Sequence, residues 1–233
     1  MSPIRGRISP PPPSFPDTEK RPPALQSFLT QPRHAHGGVD LMFIYLHGFN
    51  SGGASQKAAW LRERLAPIPV LSPTYPAHRG VEAATFLLDY IERARREHPD
   101  ERKLVLIGSS LGGFWAQWLA PRVGAALVLI NPALKPDAAL DDVVGPQRNE
   151  ATGEEYVLTA EQVRALRAYR IEPCDPAVPT LVLLDEGDEL LDSRATAGAY
   201  RGCGEILLFP GGSHRFDHLA ESKGAILALH ETR

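Results

Sequence analysis

Past a proline-rich opening, apolar residues arrive in short unbroken runs separated by stretches whose apolar positions recur at helical spacing. The runs Leu41–Leu46, Val70–Tyr75, Lys103–Ile107, Ala125–Ile130, Thr180–Leu184 and Glu205–Phe209 have the length and continuity of buried strands. Between them, Ser55–Leu65 places Ala58, Ala59, Leu61 and Leu65 on one helical face, and Val81–Glu97 does the same with Val81, Ala84, Leu88, Ile91 and Ala94. Further helices are expected over Leu111–Leu119, stopped before Pro121, and over Ser193–Tyr200 and His218–Leu229. Strands alternating with helices imply an α/β protein with a doubly wound, mostly parallel sheet of about six strands, flanked by helices.

Two regions break the rhythm. Residues 1–38 carry the proline run Pro10–Pro13 with Pro16, Pro22, Pro23 and Pro32, and no apolar periodicity. Such a segment favours extended, solvated backbone and reads as a disordered arm before a domain spanning 39–233. A recognition peptide for a partner, or residues upstream of a true start, are the other readings, because Met42 stands inside the first strand. Residues 133–179 form a long charged insertion or crossover, expected to be helical only over Thr159–Tyr169. It lacks the broad apolar face of a lipid-facing lid, which argues against a lipase.

Composition narrows the classes of function. A formal net charge of -3 offers no case for nucleic acid or an anionic membrane as partner. No apolar run approaches the ~20 residues of a membrane span. The 2 cysteines, Cys174 and Cys203, lie outside any metal-ligand spacing. Two lone cysteines suggest no disulfide framework, so a reducing cytoplasm is expected, with no metal and no cofactor.

The chemistry centres on Lys103–Trp115, K-L-V-L-I-G-S-S-L-G-G-F-W, where a strand ends in a serine turn that opens into a helix. Gly108-Ser109-Ser110-Leu111-Gly112 fits G-x-S-x-G, the elbow that presents a serine in strained backbone geometry, with glycines where strand and helix nearly touch. Ser110 is therefore the candidate nucleophile. By itself the pattern is also met as a plain Gly/Ser loop, and its weight depends on what accompanies it.

A serine hydroxyl needs a base, and the base needs an orienting carboxylate. In this strand-turn-helix context the expected chain order is serine, acid, histidine. After Thr180–Leu184 comes D-E-G-D-E-L-L-D over Asp185–Asp192, and after Glu205–Phe209 comes P-G-G-S-H-R-F over Pro210–Phe216. Asp185 suits a cap at the strand end, and Asp192 suits the N-cap before Ser193. Asp188, in the turn after Gly187, is favoured as the orienting acid over Asp192, while Glu186 and Glu189 read as solvated. Of 8 histidines, His214 is placed to turn back over the sheet. His218 fits the start of the last helix and His230 its end, and His34, His36, His78 and His98 read as solvated. His47-Gly48-Phe49 follows the first strand, so the Phe49 amide and the Leu111 amide are the expected oxyanion donors. With strands ordered 2-1-3-4-5-6, that loop would meet the elbow at the topological switch point. Phe49, Tyr75, Trp115, Tyr156 and Phe216 are candidate pocket walls.

The segments L-H-G-F-N-S, G-S-S-L-G-G, N-P-A-L-K-P, T-G-E-E-Y-V-L, G-D-E-L-L-D and G-G-S-H-R-F, in this order, resemble the YqiA/YcfP-like esterases, small bacterial α/β-hydrolases. The resemblance covers Leu41 to about Leu229. It implies the α/β-hydrolase fold, a serine triad on Ser110, Asp188 and His214, and a small-molecule acyl ester or thioester substrate. The proline-rich arm departs from the family pattern, as does Arg215, where small residues are usual. A non-catalytic α/β-hydrolase module for ligand binding is the rival, and its expected mark, a broken triad or missing oxyanion loop, is not seen. A phosphate-binding P-loop is a weaker rival, since G-S-S-L-G-G lacks the Lys and Ser/Thr that should follow.

Overall fold

The computed structural model describes residues 40–229. The proline-rich arm, Met1, His34, His36 and His230 lie outside the described residues.

Among the described residues, eight strands and seven α-helices follow one another as β1 (Leu41–Leu46), α1 (Gln56–Arg64), β2 (Val70–Leu71), α2 (Gly80–Glu97), β3 (Lys103–Ser109), α3 (Leu111–Val123) and β4 (Ala126–Ile130), then α4 (Pro136–Asp141), β5 (Gly145–Arg148), β6 (Glu155–Leu158), α5 (Ala160–Ala165), β7 (Thr180–Asp185), α6 (Ser193–Ala199), β8 (Glu205–Phe209) and α7 (Lys223–Ala228). Six strands form one sheet in the order β2-β1-β3-β4-β7-β8, the 2-1-3-4-5-6 order under which the loop after the first strand meets the elbow. Every neighbouring pair in it is parallel, with Leu46 opposite Gly108 and Asp185 opposite Phe209. Parallel strands need crossovers, and the helices supply them on both faces.

Strand alternation sorts the core into two layers. Met42, Ile44, Leu46, Leu104 and Leu106 face a cluster with Ala83, Leu87 and Ile91 of α2, with Phe114, Trp115 and Leu119 of α3, and with Tyr200. Leu41, Phe43, Tyr45, Val105 and Ile107 face the other way, toward Ala58 and Leu61 of α1 and Ile226 of α7. Central strands buried on both faces explain why their sequences are continuously rather than alternately apolar.

Several boundaries differ from the sequence expectation. Only Val70 and Leu71 of the second run pair with β1. Helix α3 continues through Pro121 to Val123 and ends at Gly124, which takes a left-handed φ of 61°; the proline forgoes the i→i−4 bond that an N–H there would make, and the helix ends two residues later. The final helix begins at Lys223 and not at His218. The insertion contains α4 and an antiparallel hairpin, β5–β6, besides the expected helix, which is α5 prolonged by a 3-10 turn at Leu166–Tyr169. Thr159 caps α5 in a reciprocal box with Gln162. Asp137 of α4, buried, is held by the guanidinium groups of Arg167 and Arg170, which clasps α4 to the 3-10 turn. Cys174 and Cys203 are joined as a disulfide, with Cα atoms 5.4 Å apart. The crossover folds together residues 29 apart in sequence, a proximity that spacing alone does not disclose. The expectation of unpaired cysteines is therefore corrected, and with it goes the support that it lent to a reducing compartment. Among the described residues no helix is long and apolar enough to cross a membrane.

Candidate active site

At the C-terminal edge of the sheet, β3 runs into α3 through Ser110, whose backbone is forced to φ 55° and ψ -121°. A Cβ on Gly108 would lie 2.4 Å from the Gly112 carbonyl oxygen, so only glycine lets strand and helix approach this closely. The strained serine is held from both sides: its N–H donates to the Ile130 carbonyl at 3.1 Å, and its carbonyl accepts from the Ala133 N–H at 3.0 Å. Strain of this kind persists only where the surroundings over-determine it.

Ser110, His214 and Asp188 form one hydrogen-bonded chain. Ser110 Oγ lies 3.0 Å from His214 Nε2, and His214 Nδ1 lies 2.9 Å from Asp188 Oδ2 and 3.0 Å from Oδ1. An ionised carboxylate only accepts, so Nδ1 carries the imidazole proton and Nε2 is left to accept from the serine hydroxyl. Asp188 Oδ1 also accepts from the Leu190 and Leu191 amides, each at 2.9 Å, and the side chain is 1% exposed. Burial pushes the Asp188 carboxyl up, but the donors from His214, Leu190 and Leu191 outweigh it and hold the group below the usual carboxylate range. Asp192 instead accepts from the Ala195 amide at 2.8 Å and caps α6.

The loops that carry Asp188 and His214 are paired through their main chains. The Glu186 N–H donates to the Phe209 carbonyl at 2.8 Å, and the Gly187 N–H to the Gly211 carbonyl at 2.7 Å. Glu189, expected to be solvated, accepts from the His214 N–H at 2.9 Å, a bond that draws its carboxyl down. Glu186 pairs with Arg194 at 3.2 Å.

The loop after β1 passes directly beside the serine. A Cβ on Gly48 would meet Ser110 Cβ at 3.2 Å and Oγ at 3.6 Å. His47, buried, braces this loop: its Nδ1–H donates to the Gly48 carbonyl at 2.8 Å, while Nε2 accepts from the Tyr75 amide at 3.2 Å. The Tyr75 hydroxyl returns a bond to the His47 carbonyl at 2.8 Å. Burial lowers the His47 pKa, so the ring stays neutral in this bracing role. The β5–β6 hairpin docks on the same loop. Asn50 donates to Gln147 Oε1 at 3.0 Å and accepts from the Tyr156 hydroxyl at 2.7 Å, and Asn149 donates to the Ser51 carbonyl at 3.2 Å. Leu111, first residue of α3, and Phe49 thus flank Ser110 from the helix and from the loop.

A cavity of about 1270 Å³ opens over Ser110 and His214. Phe49, Trp60, Phe216, Leu219, Leu140 and Val143 are among the residues that line it, with Leu190 and Leu191 of the loop after β7. Of the expected pocket walls, Phe49 and Phe216 stand in it. Trp115 is wholly buried, with its Nε1–H donating to the Ala77 carbonyl at 2.8 Å, and Tyr75 is buried as the brace just described. Those two are corrected from pocket to core, because large aromatics at helical spacing serve packing first. Tyr156 reaches the site only through Asn50. His78, expected to be solvated, is buried, stacked on Tyr156 at 4.2 Å, and lowered by burial to a pKa of about 4. His218, expected in the last helix, donates from Nδ1 to Asp185 Oδ1 at 2.7 Å. Among the described residues no group of three or more His, Cys, Asp or Glu side chains is arranged to hold a metal ion.

A six-stranded parallel sheet with helices on both faces, and a serine in a strained turn between its third strand and the following helix, define an α/β-hydrolase fold. Solved structures agree. Est1E from Butyrivibrio proteoclasticus, solved with ferulic acid bound, superposes with a TM-score of 0.67 at 20% identity, covering 87% of this chain and 94% of that one. Mouse alpha/beta hydrolase domain-containing protein 10 does so at 0.60 and 17% identity, covering 83% and 90%. At such identities the likeness shows the fold alone. The family model described as "Uncharacterised protein family (UPF0227)" matches residues 42–231, and the chain belongs to that family, in keeping with its YqiA/YcfP-like resemblance. UPF0227 proteins of Yersinia pseudotuberculosis and Yersinia pestis are each 28% identical to it over 180 residues, which is 77% of this chain and 93% of theirs.

Proposed function

We propose that the protein is a serine hydrolase that cleaves carboxylic esters, acyl thioesters among them, through an acyl-enzyme. The observation that carries this reading is the unbroken chain from Ser110 Oγ through His214 to the buried Asp188, at 3.0 and 2.9 Å. His214 Nε2 takes the Ser110 proton as Oγ attacks the acyl carbon, and the imidazolium that forms is stabilised by Asp188. The Phe49 and Leu111 amides are assigned to the tetrahedral oxyanion, a task worth roughly 3–4 kcal/mol per donor. His214 then gives the proton to the departing alkoxide or thiolate. Water repeats the sequence on the acyl-serine and releases the acid. The cavity over Ser110, with Phe49, Phe216, Leu140 and Val143 in its wall, supports an acyl substrate, and the names of similar folds, such as the esterase domain from a Rhodothermus marinus protein, point the same way.

A fluorophosphonate probe tests the reading. Covalent labelling of wild type, absent in Ser110→Ala, is expected. No labelling of wild type, or equal labelling of both, would instead favour a non-catalytic ligand-binding module.

A further inference from the structure

We propose that Asp185 and Asn131, neither of which has a part in the proton path, are positioning residues that set the catalytic geometry of His214; the assignment rests on the hydrolase reading above. The loop 211–217 that carries His214 follows the last strand of the sheet at its edge, where loops are ordinarily exposed and mobile. Its main chain is nevertheless gripped by side chains from four other places in the fold. Asp185, at the end of β7 and 0% exposed, accepts through Oδ2 from the Ser213 N–H at 3.2 Å and the Asp217 N–H at 2.8 Å. Asn131, just past β4 and 1% exposed, donates from Nδ2 to the Ser213 carbonyl at 3.0 Å and the His214 carbonyl at 3.3 Å. Its Oδ1 accepts from the Asp185 N–H at 3.0 Å, so the two grips are themselves linked. Glu189 takes the His214 N–H, and the Lys57 ammonium donates to the Arg215 carbonyl.

A buried carboxylate is expensive to keep unless every lone pair is used. Asp185 uses its second oxygen on His218 Nδ1–H at 2.7 Å, and the His218 ring is fixed in turn by stacking on Phe209 at 4.8 Å and 5°. A backbone cap alone would not need a charge. Three donors converging on one side chain do, because an amide in its place must turn its own N–H toward one of them. Asn131 holds a left-handed φ of 39°, which lets its side chain bridge β7 and the loop. The histidine needs this bracing because its Nε2 must meet a serine that is fixed on a different element, and a shift of ~1 Å can cost ~10²-fold in rate.

The test compares Asp185→Asn and Asn131→Ala in two backgrounds, wild type and His214→Ala, by steady-state hydrolysis of p-nitrophenyl acetate. In the wild-type background each is expected to lower kcat about 10²-fold with KM changed less than about twofold. In the His214→Ala background each is expected to change kcat by less than about twofold, since a residue acting through His214 has nothing left to position. An unchanged kcat in the first background overturns the proposal, and so does a loss of the same size in both. Thermal unfolding of each variant accompanies the kinetics: one folded variant suffices to decide, and failure of both to fold would show a structural role and overturn the assignment as well. A wild type that neither hydrolyses the ester nor reacts with the fluorophosphonate would sink the hydrolase reading itself, an outcome distinct from all of these.

Discussion

Asp188 and Asp192 share one loop yet answer different needs. Asp188 has its carboxylate turned inward on His214 and two main-chain amides, whereas Asp192 spends its own on the first turn of α6. Asp188→Asn should therefore lower kcat by about 10⁴-fold, as expected when the acid that fixes the imidazole tautomer is lost. Asp192→Ala should leave kcat unchanged and cost about 1 kcal/mol of stability, read by urea unfolding. His78 carries a separate prediction for pH. Its pKa falls from an ordinary 6.5 to about 4 on folding, so between those values the unfolded chain binds the extra proton. The stability it contributes is complete above 6.5 and is lost as pH falls toward 4. Thermal melts at pH 7 and pH 5 should differ less for His78→Phe than for wild type; an equal difference would count against the assignment. These residues also mark what a sequence can disclose. That Ser110, Asp188 and His214 come together in one hydrogen-bonded chain could be anticipated from their order along the chain and the strands that precede them. His78 and His218 read as solvated and helical, and the bond that the exposed Glu189 makes was missed, because their partners, Tyr156, Asp185 and the His214 amide, come from distant stretches of chain.

At the scale of elements, the β5–β6 hairpin is the part that periodicity concealed. Its strands are short and amphipathic, and Val157 faces solvent at 61% exposure, so no apolar run announces it. It earns its place by holding the loop that bears Phe49. Tyr156→Phe removes the hydroxyl bonded to Asn50 and should cost about 1 kcal/mol. Because the loop flanks Ser110, the same substitution should lower kcat for ester hydrolysis more than it raises KM. The clasp between α4 and the 3-10 turn has only stability to answer for. Arg170→Ala leaves Asp137 with Arg167 as its remaining ion-pair partner and should cost about 1–3 kcal/mol in chemical denaturation, with kcat little changed.

For the whole molecule, strands alternating with helices imply a parallel sheet covered on both faces, but the same alternation is compatible with more than one strand order. The parallel sheet could therefore be read ahead and the 2-1-3-4-5-6 order only supposed, a condition that the structure meets, while the disulfide and the inner structure of residues 133–179 could not be read. The cavity is a property of this scale too, since β1, α1, α4 and the two loops that carry Asp188 and His214 all contribute to its wall. Leu190 and Val143 stand partly exposed along it, at 68% and 39%. Each acyl methylene buried against such a wall is worth about 0.8 kcal/mol. Val143→Asp should therefore raise KM for longer-chain p-nitrophenyl esters more than for the acetate, in a series of graded chain length.

Gly212 is exposed, lies far along the chain from Ser110 and takes no part in the chemistry, and by position it resembles a loop residue open to replacement. Its φ is 72°, and a Cβ there would fall 2.0 Å from Asp185 Oδ2, inside the carboxylate that holds the His214 loop. In a saturation library selected for hydrolysis, this surface position should be as bare of survivors as Ser110 itself.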